Sequence, residues 1–177
     1  VLPARFGLRP KVEGPNVLTF SARQPFRIAI ERDGRNSPLL LFGNPLETDQ
    51  PKPGETKVFY FGPGFLCPEK IRLTDNQTLY LAGGAVVKGS VEARGTNITV
   101  RGCGILDGSD YPHLKGPAGF MMNMASCTNL IVRDLIVRGP WTWTLVPNGC
   151  DGVLIDNVKI CGSRVLNDDG IALVNSR

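Results

Sequence analysis

The sequence predicts an all-β protein in which a repeating β-solenoid follows a small sandwich-like unit. Short runs of alternating aliphatic and polar residues recur along the 177 residues, and Gly, Pro and Asn separate them. No segment of useful length repeats apolar residues at a helical spacing. The composition also changes at residues 47–55, "ETDQPKPGE", where Pro, Gly and charged residues replace the apolar pattern. We therefore expect two units, residues 1–55 and residues 56–177.

The first unit is expected to be a small antiparallel sandwich built from three β-type runs. These runs are "NVLTF", "PFRIAIE" and "SPLLLFG", and turn-forming residues lie between them. Asp33 and Gly34 form a dipeptide that is typical of two-residue hairpin turns. This dipeptide predicts a hairpin that joins "FRIAIER" to "PLLLF".

The second unit contains four segments with one shared pattern, in which a polar residue or Gly precedes two short alternating strands. The segments are "QTLYLAGGAVVKGSV", "NITVRGCGILDG", "NLIVRDLIVRG" and "GVLIDNVKICG". Their first aliphatic positions, Leu79, Ile98, Leu130 and Val153, are 19, 32 and 23 residues apart. Such periods are typical of solenoids, in which each coil buries its inward aliphatic residues on its neighbours. A β-sandwich is the alternative fold.

The longest of these steps is expected to contain a loop inserted into one coil. It spans residues 109–124, "SDYPHLKGPAGFMMNM". Insertions of this kind lie on one face of a solenoid and often shape its binding surface.

Charge and cysteine usage exclude several classes of function. The net charge is only +4, and the Lys and Arg residues form no stripe that could bind nucleic acid. No run approaches the roughly 20 apolar residues of a membrane span. The five Cys residues form no CxxC pair and accompany a single His, His113, so we expect no metal site. We expect the cysteines to be buried.

Four stretches together resemble the polygalacturonase-like glycoside hydrolases of family 28 and the related dextranases and isopullulanases of family 49. In chain order they are "TLYLAGGAVVKGSV" at residues 78–91, "GCGILDG" at 102–108, "GPWTWTLVPNGCDGVLIDNVKI" at 139–160 and "NDDGIALVNS" at 167–176. The resemblance implies a right-handed parallel β-helix of the pectin-lyase-like kind. It also implies a secreted or periplasmic enzyme that needs no cofactor.

The last stretch resembles the Asn-Thr-Asp-Gly-Ile-Asp motif, which supplies the first catalytic Asp of these families. By this resemblance Asp169 takes the place of the catalytic Asp and Asn167 that of the Asn, whereas Asp168 stands at the Thr position. Ala172 replaces the second Asp of the motif. The families' later motifs, a paired Asp-Asp, Gly-His-Gly and Arg-x-Lys, do not follow before Arg177. We therefore expect the chain to be part of a longer catalytic helix, whose open end promotes self-association.

Glycoside hydrolysis needs two carboxyl groups, one to protonate the leaving oxygen and one to activate water, about 6.5 to 9.5 Å apart in inverting enzymes. Coils stacked about 4.8 Å apart can place carboxylates at that separation. The resemblance implies that Asp169 helps to activate the water and that Asn167 orients the carboxylate or contacts a sugar hydroxyl. Asp168 is either a catalytic partner or a solvated neighbour. The alternative for the whole "NDDG" run is a tight turn, which these residue types favour.

Trp141 and Trp143 alternate at strand spacing, so we expect both side chains to lie on one face and to stack on sugar rings. Core packing is the alternative for each. Four basic residues interrupt the apolar pattern of the neighbouring strands. They either line a groove for an acidic polysaccharide or lie on a solvent-exposed face. They are Arg133, Arg138, Lys159 and Arg164.

The resemblance implies a glycoside hydrolase that cleaves a polysaccharide with inversion, and it favours polygalacturonase-type specificity. Dextranase-type or isopullulanase-type hydrolysis is the nearest alternative. Two others remain open, a polysaccharide lyase of the same fold and a noncatalytic carbohydrate-binding solenoid. The expected partner is a polysaccharide substrate, with no nucleic acid and no membrane.

Overall fold

The computed structural model describes residues 3, 6–31 and 37–177. The chain separates into two compact units, Val1–Asp49 and Gln50–Arg177. The described residues form β-strands and no α-helix, so the predicted all-β class is confirmed. None of them belongs to a helix long and apolar enough to cross a membrane.

In chain order the strands are β1 (Lys11–Val12), β2 (Leu18–Thr19), β3 (Phe26–Ile30), β4 (Leu39–Gly43), β5 (Val58–Phe61), β6 (Gly64–Leu73), β7 (Thr78–Leu81), β8 (Ala85–Gly102), β9 (Ile105–Asp107), β10 (Met122–Arg133), β11 (Ile136–Arg138), β12 (Leu145–Asn148), β13 (Asp151–Asp156) and β14 (Lys159–Cys161).

The described residues of the first unit form two small antiparallel sheets. β1 pairs with β2, and β3 pairs with β4 so that Ile30 lies opposite Leu39. The predicted pairing of these two runs is confirmed, whereas the predicted turn at Asp33 and Gly34 lies outside the described residues. The described residues form two separate two-stranded sheets, and a sandwich built from them stays a prediction.

The second unit is a parallel β-solenoid of about five turns, as the sequence predicts. Each turn passes through three faces, which we name A, B and C in the order in which the chain reaches them. Face A consists of β5, β7, the ends of β8 and β10, and β13. Face B consists of the starts of β6 and β8 with β9, β11 and β14. Face C consists of the end of β6, the middle of β8, the start of β10, β12 and the bridged residues Ile171 and Val174.

Parallel pairing stacks equivalent aliphatic side chains of successive coils inside the solenoid. On face B one such row lies in the core or packs against it: Leu66, Val87, Leu106, Val137 and Ile160. Full burial of one such side chain contributes about 1.5 to 3 kcal/mol. The stacked rows therefore hold neighbouring coils together.

The predicted equivalence of the coils holds for three positions and shifts at one. Ile98, Leu130 and Val153 pair in register on neighbouring coils, as expected. Leu79 instead pairs with Val100, two residues beyond the expected partner. Because side chains of a strand alternate with a period of two, a shift of two residues keeps the same face inward. The hydrophobic pattern alone could not detect this shift.

Asparagines form a ladder at the corner between faces C and A. Asn76, Asn97 and Asn129 all have a positive φ, of 60°, 56° and 54°. The Nδ2 of Asn129 donates to the Oδ1 of Asn97 at 2.8 Å, and the Nδ2 of Asn97 donates to the Oδ1 of Asn76 at 3.0 Å. Asn tolerates this left-handed conformation better than most residues. Three successive coils therefore turn at the same place.

The inserted loop leaves the solenoid after β9 and rejoins it at β10. Trp141 anchors the loop, because its Nε1 donates to the carbonyl of Ala118 at 3.1 Å and its ring meets Tyr111 edge-on, with centroids 5.1 Å apart. A Cβ at Gly116 would lie 1.9 Å from the Trp141 ring, so only glycine fits there. Because β10 begins at Met122, the insertion is shorter than the sequence predicts.

Candidate functional site

One row of residues runs along face C from the first coils to the coil that carries the motif. Its members, in register on successive coils, are Arg72, Glu92, Asn123, Val146 and Ala172. Coils are about 4.8 Å apart, so the row is roughly 19 Å long. Arg72 is exposed and Glu92, Asn123 and Ala172 are partly exposed, whereas Val146 is buried.

The N-terminal end of this row is basic. Glu92 forms ion pairs with Lys70 at 3.3 Å and with Arg72 at 3.4 Å, and the Arg72 side chain stays 71% exposed. Arg94, which is also exposed, lies with Arg72, Glu92 and Asn123 around a surface cavity of about 260 Å³. Two cations contact the Glu92 carboxylate and a third lines the same cavity, so this cluster favours an anionic ligand. We call Lys70, Arg72, Glu92 and Arg94 the basic end of face C.

Asp169 lies at the opposite end of face C. Its carbonyl accepts a hydrogen bond from the N–H of Thr144 at 2.9 Å, and the carbonyl of Gly170 accepts one from Leu145 at 3.1 Å. This parallel pairing places Asp169 level with Trp143 of the preceding coil. Asp169 is exposed, and within the described part of the chain its carboxylate has no hydrogen-bond or ion-pair partner. Such a carboxylate is available to accept a proton from water.

Asp168 has different surroundings. Its Oδ2 accepts hydrogen bonds from the main-chain N–H groups of Arg164 at 2.6 Å and Val165 at 3.1 Å, and its Oδ1 accepts one from the hydroxyl of Ser163 at 2.9 Å. Desolvation, the largest single influence, raises the pKa of this carboxyl, but the hydrogen bonds together outweigh it and lower the pKa. Both oxygens are engaged in closing this turn. A catalytic role for Asp168 stays a prediction.

Asn167 lies in the same turn. It is exposed and has a positive φ of 64°, a conformation that Asn adopts readily. The backbone at Asn167 therefore agrees with the alternative interpretation of the "NDDG" run, which is a tight turn. A contact between Asn167 and a sugar hydroxyl stays a prediction. The position of Asn167, two residues before Asp169, is compatible with such a contact.

Trp141 and Trp143 do not alternate on one strand, because β11 ends at Arg138 and β12 begins only at Leu145. The strand alternation on which the shared face was predicted is therefore wrong, and a shared face stays a prediction. Trp141 is fully buried in the core, so its ring offers no surface to a sugar in this structure. Trp143 is half-buried and stacks on Phe120, with ring centroids 5.3 Å apart and planes 10° from parallel.

Phe120 is the residue of this site that sequence reasoning missed. The N–H of Met121 donates to the carbonyl of Trp143 at 3.1 Å, which places Phe120 level with Trp143. The inserted loop interrupts the repeat just before this position, so counting residues from the preceding coil fails. The only signal was that an aromatic residue lies two positions before the first residue of β10.

The four basic residues singled out from the sequence do not line one groove. Arg133 lies on face A, Arg138 and Lys159 lie on face B, and Arg164 lies in the turn before the motif. Arg138 binds Asp107 through two hydrogen bonds, of 3.2 Å and 2.5 Å. Arg164 donates to the carbonyls of Gly108 at 3.0 Å and Gly139 at 3.2 Å. Arg138 and Arg164 are thus used to hold the solenoid and its loops in place.

The five cysteines all lie among the described residues, and none forms a disulfide. Cys127 and Cys150 are buried as expected, but Cys67 is exposed. The main-chain N–H of Cys127 donates to the Sγ of Cys150 at 3.3 Å. Burial and the neighbouring Cys150 raise the pKa of Cys127 to about 12, so it is a thiol at neutral pH. No group of three or more His, Cys, Asp or Glu side chains in the described ranges could hold a metal ion.

No protein-family model matches the chain, and no curated protein matches it. Among solved structures, one match is the crystal structure of a "putative glycosyl hydrolase" from Parabacteroides merdae ATCC 43184. The two chains are 19% identical and align with a TM-score of 0.53 over 67% of this chain. At this identity the likeness concerns the fold alone. The chain is thus similar in fold to that protein and covers 65% of its length.

Proposed function

We propose that this protein is a glycoside hydrolase that cleaves a polysaccharide bound along face C, with Asp169 as one of its catalytic carboxylates. The position of Asp169 carries the proposal, because its exposed carboxylate lies level with the half-buried ring of Trp143. Cleavage of a glycosidic bond needs a sugar-binding surface and a proton acceptor at one place. The fold likeness to a protein described as a "putative glycosyl hydrolase" supports the same class.

The proposed specificity is of the polygalacturonase type, for an anionic polysaccharide. The basic end of face C supports this choice, because Lys70, Arg72 and Arg94 outnumber Glu92 there. A linear substrate that reached Asp169 along face C could extend to the basic end, which lies four coils away, or roughly 19 Å along the solenoid axis. A polymer of this kind lies outside the cytoplasm, so a secreted or periplasmic location forms part of the proposal.

The proposed reaction is a single displacement with inversion. The oxygen of a water molecule bonds to the anomeric carbon while Asp169, with a second carboxylate beside it, takes the proton of that water. A carboxylic acid gives its proton to the glycosidic oxygen as the bond from that oxygen to the anomeric carbon breaks. On the preceding coil, the residue next to Asp169 is Trp143, which is not a carboxylic acid. We therefore propose that the carboxylic acid lies on a coil that stacks on the other side of Asp169.

The test is to incubate the protein made from its complete gene with polygalacturonic acid. We expect new reducing ends without the ultraviolet absorbance of unsaturated products. Proton NMR spectra recorded during the first turnovers are expected to show the β-anomer, released from an α-linked substrate. Release of the α-anomer would contradict inversion, and unchanged substrate would contradict the specificity.

Each alternative gives a different result in the same set of assays. Unsaturated products whose release requires calcium would indicate a lyase. Cleavage of dextran or pullulan without cleavage of polygalacturonic acid would indicate the dextranase or isopullulanase type. Saccharide binding without cleavage, unaffected by Asp169→Asn, would indicate a noncatalytic solenoid.

A further inference from the structure

The stacked pair of Phe120 and Trp143 occupies the coil position that Asp169 takes on the next coil. The two rings are 10° from parallel, with centroids 5.3 Å apart, so each ring covers part of one face of the other. Both side chains are only half-buried. Each of the two residues therefore keeps part of its surface in contact with solvent.

Phe120, Trp143 and Asp169 take the same position on three successive coils. The carbonyl of Trp143 accepts a hydrogen bond from Met121, and the carbonyl of Asp169 accepts one from Thr144. Phe120 covers the Trp143 face on the side of its own coil. The opposite face of Trp143 is therefore on the side of the coil that carries Asp169.

Asp169 is too short to continue the aromatic stack. A third ring placed on Trp143 at the coil spacing of about 4.8 Å would take the next place in the stack, with the Asp169 carboxylate at its edge. A pyranose ring has a face of C–H groups that suits an aromatic surface, and its glycosidic oxygens lie at its edge. The register of these three residues thus places a stacking surface and a carboxylate at one sugar.

The inserted loop holds Phe120 in place under Trp143. Trp141 donates from Nε1 to the carbonyl of Ala118, two residues before Phe120. Lys88 also pairs with Asp110 near the start of the loop. The stacking surface is therefore supported by contacts outside the stack itself, which preorganises it for a ligand.

We infer that the face of Trp143 opposite Phe120 is the subsite for the pyranose ring next to the cleaved bond, and that Phe120 is a positioning residue for Trp143. This subsite rests on the proposed function for its place in a reaction. Its ligand is a sugar ring with an unsubstituted C–H face. The stacking force is independent of the charge of the substrate, which the basic end of face C recognises separately.

Binding of trigalacturonic acid to the 177-residue chain tests the subsite directly. The chain has two tryptophans, and Trp141 is fully buried, so a change of tryptophan fluorescence on binding would come from Trp143. We expect a saturable change of this kind. Absence of any change or of any binding heat with trigalacturonic acid would overturn the inference.

Calorimetric titration of variants tests the role of each ring. We expect Trp143→Leu to weaken binding of trigalacturonic acid about tenfold and Trp143→Phe, which keeps an aromatic face, to weaken it about threefold or less. Phe120→Leu is expected to weaken binding two- to fivefold. The matched control is Phe65→Leu, which alters an aromatic residue on face B that is 81% exposed, and it should bind as the wild type does.

The outcomes separate this inference from the proposed function. Wild-type affinity in Trp143→Leu, together with hydrolysis that depends on Asp169, would overturn the subsite and leave the proposed function intact. Trp143-dependent binding in a protein that hydrolyses nothing would retain the subsite and overturn the proposed function. If Trp143→Leu fails to fold by thermal melting, the comparison of Trp143→Phe and Phe120→Leu with the wild type decides, because equal affinity in all three contradicts the inference.

Discussion

Asp168 and Asp169 are neighbours in sequence, yet their carboxylates have different surroundings. Asp168 accepts three hydrogen bonds from its own turn, whereas the Asp169 carboxylate has no partner in the described residues. Hydrogen bonds that lower a carboxyl pKa stabilise the folded state above the unfolded-state pKa, which is about 3.9 for Asp, and are lost as the pH falls through the folded-state pKa. Asp168 should therefore contribute to stability and Asp169 should not.

We expect Asp168→Asn to lower the melting temperature at pH 7, because an amide cannot accept all three hydrogen bonds in the same way. The difference from the wild type should narrow as the pH falls below about 4, since protonation removes the same interactions. Asp169→Asn is the matched control and should melt as the wild type does. Equal melting temperatures of Asp168→Asn and the wild type at pH 7 would show that this turn contributes nothing to stability.

For single residues, the sequence predicts local backbone preferences better than it predicts which groups surround a side chain. The turn at Asn167 follows from local preferences of Asn and Asp, and it could be predicted. The burial of Trp141 could not, because it depends on a loop that folds over this ring. Alternation in sequence places side chains on one face only where the chain is a strand.

The asparagine ladder determines where the coils turn. Asn97 donates to Asn76 and accepts from Asn129, and its φ is 56°. Replacement by Ala would remove two hydrogen bonds, each contributing about 0.5 to 1.5 kcal/mol, and would force a Cβ-bearing residue without a compensating side-chain bond into the left-handed region. Replacement by Gly would remove only the hydrogen bonds.

We therefore expect Asn97→Ala to lower the free energy of unfolding by about 2 to 4 kcal/mol, and Asn97→Gly to lower it by less. Urea denaturation followed by circular dichroism measures both values. Asn148→Ala, which removes an exposed side chain at the end of β12, is the control and should change little. An Asn97→Gly variant less stable than Asn97→Ala would contradict the backbone part of this explanation.

The strand pattern and the coil period could be predicted from the sequence. The register of one coil against the next, and the residue at which the inserted loop ends, could not. Period-two alternation is unchanged by the two-residue shift between Leu79 and Val100. The loop conceals the coil position of Phe120, because an insertion of unknown geometry breaks the count of residues per turn. The stack of Phe120 on Trp143 is therefore visible only in three dimensions.

Across the whole molecule, the last coil exposes aliphatic side chains that would be covered by a further coil. Leu166 is 77% exposed, Ile171 48% and Leu173 61%. Exposed strand edges next to apolar side chains promote pairing between chains. The predicted self-association therefore has a specific location in the 177-residue chain.

We expect this chain to self-associate with increasing concentration, and we expect Leu173→Lys to shift it towards the monomer because a charge blocks the exposed edge. Analytical ultracentrifugation of both proteins between about 1 and 100 µM measures the shift. Phe65→Lys, which places the same charge on face B, is the control and should associate as the wild type does. A wild-type chain that remains monomeric throughout would contradict this expectation.

The proposed function depends on the Asp169 carboxylate, which takes part in hydrolysis on face C. The most direct test compares the rate of polygalacturonic acid hydrolysis by Asp169→Asn with the wild type, in the protein made from its complete gene. Asp156→Asn, which changes an exposed carboxylate on face A, is the control. We expect Asp169→Asn to lose about 10²- to 10⁴-fold in kcat with an unchanged melting temperature, as for removal of a general base, and Asp156→Asn to retain its activity. Wild-type kcat in Asp169→Asn would contradict the claim.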